Sequence, residues 1–210
     1  MENAKKSTSK ERLMAYVDGF NLYFGIVEAG YNNCKWLDIN KLVASLLKPH
    51  QKLNQIKYFT SRVSNNPEKQ IRQTKYIEAL ETRGIKIFYG HYQSGSVECK
   101  RCGNIWATYH EKMTDVNIAT QMINDAYQDH FDTAMLISGY SDLVPPIKSI
   151  HKNFSIKRVF VAFPPKRHNA SVSLVAKGSL IIGRKKLVDS QLPNEVQKSG
   201  GYIIRKPIEW

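Results

Sequence analysis

Short apolar segments that alternate with amphipathic segments constrain the fold of this chain more than any other feature. The apolar segments lie at residues 13–17, 55–60, 85–89, 133–137 and 157–163. Between them, apolar residues recur at helical spacing, most clearly from Thr114 to Tyr127. Strands and helices in such short alternation favour right-handed βαβ units, so the sequence predicts an α/β fold with a parallel sheet and helices on both faces.

Three aspartates lie where these predicted elements begin or end. Asp18 follows the first predicted strand, and Asp142 follows the strand at 133–137. Asp115 lies in the first turn of the helix from Thr114. Thr114 is expected to cap that helix, and Ser141 or Asp142 to cap the helix that two prolines open. Because ligands of open α/β sheets bind beyond the carboxyl ends of the strands, the three carboxylates are expected to converge there.

The predicted carboxylate cluster needs a cation, because clustered negative charges repel one another. Oxygen ligands suit a hard divalent ion, Mg²⁺ or Mn²⁺. Taken singly, each aspartate is explained more simply as a helix cap or a turn former. Taken together, and with the polar Asn21 beside Asp18, they favour a functional site that binds a metal ion.

Motifs at these positions and elsewhere resemble those of the NYN domain, a family in the PIN-like nuclease group. The motifs are VDGFN at 17–21, YFTSRV at 58–63, GHY at 90–92, EK at 111–112 followed by TDV at 114–116, SG at 138–139 followed by SDL at 141–143 and Pro145, FPPKRH at 163–168 and QLP at 191–193. Their order and spacing make the resemblance specific over nearly the whole chain. It implies a Rossmann-like fold and metal-dependent hydrolysis of RNA, with Asp18, Asp115 and Asp142 as catalytic and metal-binding residues.

One position departs from the family pattern. The family commonly carries a further aspartate two residues before the one at Asp142, and this chain has Tyr140 there. The missing carboxylate is a candidate metal ligand. Weaker metal binding, or reduced or absent catalysis, is therefore expected.

The loop after the last clear strand is basic. Lys166, Arg167 and His168 are expected to face the same crevice as the aspartates and to bind nucleic acid, since arginine makes bidentate contacts with phosphate. Asn21 is expected to be a metal or phosphate ligand, and Lys112 to help position the RNA. A solvated loop is the alternative for such a short charge run.

The leading functional hypothesis is an endoribonuclease in which one or two Mg²⁺ or Mn²⁺ ions orient a water and stabilise the leaving oxygen. The alternative is a nucleic-acid-binding protein that keeps the NYN fold but is weak or inactive in catalysis, and Tyr140 favours it. A phosphohydrolase or nucleotide-binding protein of similar fold is a third option. The chain has no Gly-rich phosphate loop of the P-loop or dinucleotide type, which argues against the third option.

The charge balance points to a polyanionic partner. Lysine and arginine outnumber aspartate and glutamate by 31 to 18, which gives a formal net charge of +13. This surplus favours RNA or another nucleic acid, because the sequence shows no basic amphipathic helix suited to a membrane surface. No segment approaches the roughly 20 apolar residues that cross a bilayer, and no apolar signal core follows the first residues, so a cytoplasmic location is expected.

The three cysteines are odd in number and too few for a disulfide framework, which agrees with a reducing compartment. Cys99 and Cys102 have the spacing of one zinc knuckle, but a structural site needs four ligands and no second pair follows. His91 and His110, or a knuckle from a second copy in a homodimer, would complete the site. We favour the simpler interpretation, an exposed turn with two free thiols.

The chain divides into a short arm and one domain. Residues 1–12 are polar and basic and are expected to form a flexible arm, because they cannot bury enough apolar surface to fold. Residues 13–210 have a length that suits one domain with a sizeable core. The segment at about 90–111 interrupts the strand and helix alternation, and we interpret it as an inserted β-hairpin or arm that carries the cysteine pair.

Overall fold

Six parallel strands form the central sheet of this protein. The computed structural model describes residues 10–63 and 66–210, and for residues 91–94 and 107–112 it describes the backbone. The strands are β1 (Glu11–Asp18), β2 (Gln51–Thr60), β3 (Lys86–Tyr89), β4 (His91–Glu98), β5 (Ile105–Lys112), β6 (Thr133–Ile137), β7 (Arg158–Phe163), β8 (Ser179–Ile181), β9 (Glu195–Gln197) and β10 (Ile203–Arg205). The central sheet has the order β3-β2-β1-β6-β7-β8, and all its neighbours are parallel, as the sequence predicts.

Helices cover both faces of the sheet. They are α1 (Gly19–Glu28), α2 (Ile39–Ala44), α3 (Pro67–Glu81), α4 (Thr114–Tyr127), α5 (Val144–Asn153), α6 (Ala170–Val175) and α7 (Arg184–Asp189), with 3₁₀ turns at Asn32–Cys34 and Ser141–Leu143. Apolar residues of α1, α2 and α3 belong to one core cluster, and those of α4, α5 and α6 to the other. The predicted α/β, PIN-like fold with helices on both faces is confirmed.

Strand β1 contributes to both cores. Leu13, Ala15 and Val17 pack with the α1–α3 side, whereas Met14 and Tyr16 pack with the α4–α6 side. Successive side chains of a strand point to opposite faces, so an unbroken apolar run is what a strand buried on both sides requires. The strand order changes direction between β1 and β6, which makes their carboxyl ends the topological switch point of the sheet.

A buried ion pair fastens α4 to the sheet. The Lys57 ammonium of β2 lies 2.6 Å from a carboxylate oxygen of Asp125 in α4. The Tyr16 hydroxyl donates to the same oxygen at 2.7 Å, and the His130 ring contacts the other oxygen at 3.0 Å. Because each buried polar group has a partner here, the charges add a specific attachment to the apolar core.

The predicted insertion folds as the antiparallel pair β4 and β5, outside the central sheet. A second small pair, β9 and β10, holds the C-terminal residues against the body of the protein. Strand β1 begins at Glu11, so the last two residues of the predicted arm belong to the sheet. The rest of that arm, apart from residue 10, lies outside the described residues.

Two predicted helix caps are wrong. The N-cap of α4 is Met113, in the left-handed region with φ 74°, and Thr114 is the first helical residue. The N-cap of α5 is Leu143, because Ser141 and Asp142 belong to the preceding 3₁₀ turn. Neither N-cap residue makes a side-chain capping hydrogen bond. The aspartates at these helix starts are therefore not explained as cap residues.

Candidate active site at the carboxyl edge of the sheet

Asp18 lies at the centre of the switch point and is almost completely buried, with 1% of its surface exposed. It is the N-cap of α1, and its Oδ1 accepts a hydrogen bond from the Asn21 backbone N–H at 3.0 Å. Its Oδ2 accepts a hydrogen bond from the Ser138 hydroxyl at 2.9 Å. A side chain from the end of β6 therefore fixes the carboxylate at the end of β1.

Asn21, in the first turn of α1 after β1, also contacts the loop that follows β6. Its side-chain oxygen accepts a hydrogen bond from the Gly139 backbone N–H at 3.0 Å, and its side chain is buried. The Tyr140 backbone N–H donates to the Ser138 hydroxyl oxygen at 3.2 Å. Asn21 thus positions the loop after β6, which is a role that we did not predict for it.

Gly139 is where the loop after β7 comes closest to the loop after β6. A methyl group added at Gly139 would collide with the backbone carbonyl of Arg167. A residue without Cβ is required at such a close approach of two backbones. The loops that carry Asp18, Tyr140 and Arg167 therefore pack as one unit.

The Tyr140 phenol lies among the predicted site residues. Partial burial raises its pKa, and the negative charges of Asp18 and Asp115 raise it further. A hydrogen bond with the Asn21 side chain and the charge of Arg167 act in the opposite direction. Two of the three predicted carboxylates, Asp18 and Asp115, therefore raise the pKa of one hydroxyl group. That hydroxyl belongs to the residue at the position where the family commonly has an aspartate.

Asp142 is placed differently from the other two aspartates. It is exposed on the 3₁₀ turn before α5, and its Oδ1 accepts a long hydrogen bond from the Ser141 hydroxyl at 3.5 Å. Among the side chains that the structure describes, no group of three or more from His, Cys, Asp and Glu lies close enough to hold a metal ion. The expected three-carboxylate cluster is not assembled there, although the oxygen donors of Asp18 and Asp115 are chemically suited to a hard cation.

The predicted nucleic-acid-binding residues are unequal in exposure. Lys166 is exposed at a left-handed backbone position, with φ 60°. The His168 ring packs edge-to-face with the Phe163 ring, with 4.8 Å between the ring centroids. Arg167 forms an ion pair with Glu28 of α1. Its Nε is buried and has no hydrogen-bond partner within the part of the chain that the structure describes. The side chain of Lys112 lies outside the described residues.

A cavity of about 440 Å³ opens between α1 and α3 and reaches the Asp18 turn at Gly19. Its aromatic lining consists of Phe20, Tyr23, Phe24, Tyr58, Tyr76 and Trp210, and its cationic lining of Lys35, Lys69 and Arg72. Burial raises the pKa of the Tyr58 phenol, and the nearby charge of Asp18 raises it further. Burial and the charge of Arg72 lower the pKa of the Lys35 ammonium. The cavity therefore adjoins the acidic site and combines flat apolar walls with positive charge.

The structure adds Ser138 and Gly139 to the residues that build the site. The sequence offered a signal for both, because a Ser-Gly pair directly after a buried strand marks the strand end where functional loops begin. It gave no signal for the cavity, whose lining comes from residues far apart in the chain.

Comparisons with known proteins identify the family. The sequence profile of the NYN domain matches residues 12–181. This chain belongs to the NYN domain family. NYN domains have the PIN-like fold, and NYN nucleases generally depend on divalent metal ions and act on RNA.

Two relatives of this NYN protein extend the comparison. It is 24% identical over 197 residues to 6-hydroxy-3-succinoylpyridine 3-monooxygenase HspA of Pseudomonas putida. The aligned region covers 77% of this chain and 62% of HspA. It is 23% identical in sequence to a solved structure, the protein of unknown function VPA0982 from Vibrio parahaemolyticus, with a TM-score of 0.61. That likeness covers 85% of this chain and 97% of the Vibrio chain and shows the fold alone.

The described residues contain no helix that is both long and apolar enough to traverse a lipid bilayer.

Proposed function

We propose that this NYN protein is a metal-dependent endoribonuclease. The observation that carries the proposal is the buried Asp18 carboxylate at the switch point, held by Ser138 from the end of the neighbouring strand, with Asp115 near enough for both charges to raise the pKa of Tyr140. Carboxylates at this edge are placed where open α/β sheets bind their ligands. The net charge of +13 supplies the attraction for a polyanionic substrate.

Asp18 and Asp115 are the residues proposed to hold a divalent cation, Mg²⁺ or Mn²⁺. A bound cation of this kind supplies a water of lowered pKa and stabilises charge on the leaving oxygen. Ser138 and the Asn21 backbone hold the Asp18 carboxylate in one orientation. Asp142 is exposed at the same edge of the sheet. It is proposed as a third carboxylate ligand of the cation, recruited once RNA is bound.

The substrate phosphates are proposed to bind at the loop after β7. Lys166 is exposed there, and the buried Nε of Arg167 offers a donor that the described chain does not use. A phosphate would compete with Glu28 for the Arg167 guanidinium, because both are anionic oxygen acceptors. Water that adds to phosphorus and breaks the bond to the 3′ oxygen leaves a 5′-phosphate and a 3′-hydroxyl.

Cleavage of labelled RNA tests this proposal. Single-stranded and hairpin RNA are incubated with the protein in EDTA, in Mg²⁺ and in Mn²⁺, alongside Asp115→Asn and the control Asp189→Asn. Asp115→Asn preserves the size of the side chain but removes its charge, so we expect a loss of cleavage of at least about 100-fold with RNA binding retained. Asp189 is exposed in α7 and pairs with Lys185, so its variant should cleave normally.

Three results would overturn the proposal of a metal-dependent nuclease. The first is equal cleavage by the wild type in EDTA and in Mg²⁺, and the second is unchanged cleavage by Asp115→Asn. The third is RNA binding without cleavage by either the wild type or Tyr140→Asp, which would make the protein a nucleic-acid-binding member of the family.

A second candidate function rests on the cavity between α1 and α3. HspA is named as an enzyme that acts on 6-hydroxy-3-succinoylpyridine, and this chain matches about three fifths of its length. A cavity of about 440 Å³ with aromatic walls and nearby lysines suits a small aromatic acid. Calorimetric titration with 6-hydroxy-3-succinoylpyridine tests this candidate. Binding that weakens at least about tenfold in Lys35→Ala would support it, and the absence of binding would exclude this compound as a ligand.

A further inference from the structure

The turn at the tip of the inserted hairpin is built around two thiols. Cys99 follows β4, and its backbone N–H donates to the Asn104 carbonyl at 2.8 Å. The Gly103 N–H donates to the Cys99 carbonyl at 2.8 Å, and Gly103 has φ 69°, where glycine is favoured. The turn therefore holds two free thiols, Cys99 partly exposed and Cys102 exposed, within one tight loop.

Two thiolates are half of a tetrahedral zinc site, which takes four ligands. The backbone register places His110 opposite Gln93, five residue positions below the last pair of the hairpin. At about 3.4 Å per residue, His110 starts about 17 Å from the tip, and His91 starts farther away. The third cysteine, Cys34, is buried in the main core. The two histidines considered from the sequence are thus too distant to complete a site with the cysteine pair.

The same end of the hairpin exposes apolar side chains. Val97 and Trp106 pair directly across β4 and β5, and they are 41% and 47% exposed. The next residue toward the tip, Ile105, is 64% exposed. Val97 and Trp106 share one face of the hairpin close to the thiols and form an apolar patch that a partner surface would cover, since burial of apolar area drives association, whereas Ile105 projects from the opposite face.

We propose that two copies of this chain join at their hairpin tips and share one Zn²⁺, held by Cys99 and Cys102 of each copy. A second copy is the partner that supplies the missing pair of ligands in the same geometry and an identical apolar patch. Four thiols lose four protons to solvent, so a four-thiolate site carries a net charge of −2. Lys100 and Arg101 of each copy place four positive charges in the same turns and offset it. This site is independent of the proposed nuclease activity.

The test is zinc titration of the reduced, metal-free full-length protein. Bound zinc is measured by elemental analysis and mass in solution by sedimentation equilibrium. We expect half a zinc per chain and a monomer that becomes a dimer as zinc is added. Cobalt in place of zinc should give the visible absorption of a tetrahedral, all-thiolate site.

Three variants separate this proposal from other behaviours of the thiols. Cys102→Ser should lose both zinc and dimer, whereas Cys34→Ser, the matched control, should retain both. Trp106→Ala keeps all four thiols and should weaken the zinc-dependent dimer by about tenfold or more. One zinc per monomer, no zinc binding, or a dimer of unchanged stability without zinc would each overturn the proposal.

Discussion

Two buried aspartates of this protein have contrasting surroundings. Asp125, under α4, contacts the Lys57 ammonium, the Tyr16 hydroxyl and the His130 ring. Asp18, at the carboxyl edge, accepts hydrogen bonds from the Asn21 N–H and the Ser138 hydroxyl. The charges of Asp18 and Asp115 both raise the pKa of Tyr140, and the charge of Arg167 lowers it. A buried charge with an opposite neighbour supports structure. A buried charge placed with a like charge is typical of a functional site.

The largest expected effect is on the structural aspartate. Asp125→Ala leaves the Lys57 ammonium buried without its partner, and we expect the free energy of unfolding to fall by about 3–5 kcal/mol. Urea denaturation measures it. The matched control is Glu195→Ala, which breaks an exposed pair with Arg205 and should cost less than about 1 kcal/mol. Similar losses in the two variants would show that the Lys57 pair is not structural.

Gly139 tests how tightly the two site loops must pack. Gly139→Ala brings a methyl group into the Arg167 carbonyl, so the loops must separate, at a cost of about 1–3 kcal/mol in unfolding free energy. If the protein cleaves RNA, cleavage should fall by about 100-fold, because a displacement of about 1 Å in a catalytic group has that effect. Gly183→Ala is the control, since a methyl group there meets no atom within 4 Å. A variant at Gly139 as stable and active as this control would contradict the close packing.

Low pH should remove the stability that the Asp125 carboxylate contributes through its pair with Lys57. Burial alone would raise the pKa of Asp125, but hydrogen bonds from Lys57, Tyr16 and His130 outweigh it and hold the pKa below its ordinary value. A carboxyl with a lowered folded-state pKa stabilises the protein above its unfolded-state pKa, and this contribution is lost as the pH falls through the folded-state pKa. We expect unfolding free energy to decline below about pH 4, and more steeply in wild type than in Asp125→Asn. Parallel curves for the two proteins would count against this origin.

Tyr140 tests whether a further carboxylate strengthens metal binding at the proposed site. Tyr140→Asp restores the family's residue, so we expect the metal concentration for half-maximal cleavage to fall on the order of tenfold. Tyr140→Phe removes the hydroxyl alone and serves as the control, with the metal requirement unchanged. An unchanged or higher metal requirement in Tyr140→Asp would show that the tyrosine ring fills space the site needs.

The smallest expected effect concerns a single exposed cation near the site. Lys166→Ala should reduce the slope of log RNA affinity against log salt by about 0.7–1, the change for one phosphate contact. The control is Lys185→Ala, at an exposed lysine of α7 that pairs with Asp189. Equal slopes for Lys166→Ala and wild type would place the phosphate path elsewhere.

The fold was predictable from sequence because burial on both faces leaves a direct pattern in the chain. The run at 133–137 is buried at every position of β6, and apolar residues of α4 recur at helical spacing toward one core. The family motifs confirmed what this pattern indicated. Strand polarity also explains why Asp18 and Asp115 were expected at one edge.

The remaining features of the site depend on contacts between distant segments. The sequence did not indicate that Arg167 pairs with Glu28 or that Asn21 positions the loop at Gly139, because these depend on how the loops after β1, β6 and β7 pack. The cap at Thr114 was predicted wrongly because Met113 adopts a left-handed conformation that its residue type does not favour. Local propensity does not encode such choices.

The left-handed residue Met113 connects the inserted hairpin directly to the helix that carries Asp115. Strand β5 ends at Lys112, Met113 turns the chain with φ 74°, and α4 begins at Thr114. A single residue therefore separates Met113 from Asp115, and no flexible loop lies between the inserted hairpin and the first turn of α4. The hairpin is thus attached directly to the helix start that carries Asp115, rather than to a loop that could move independently of it.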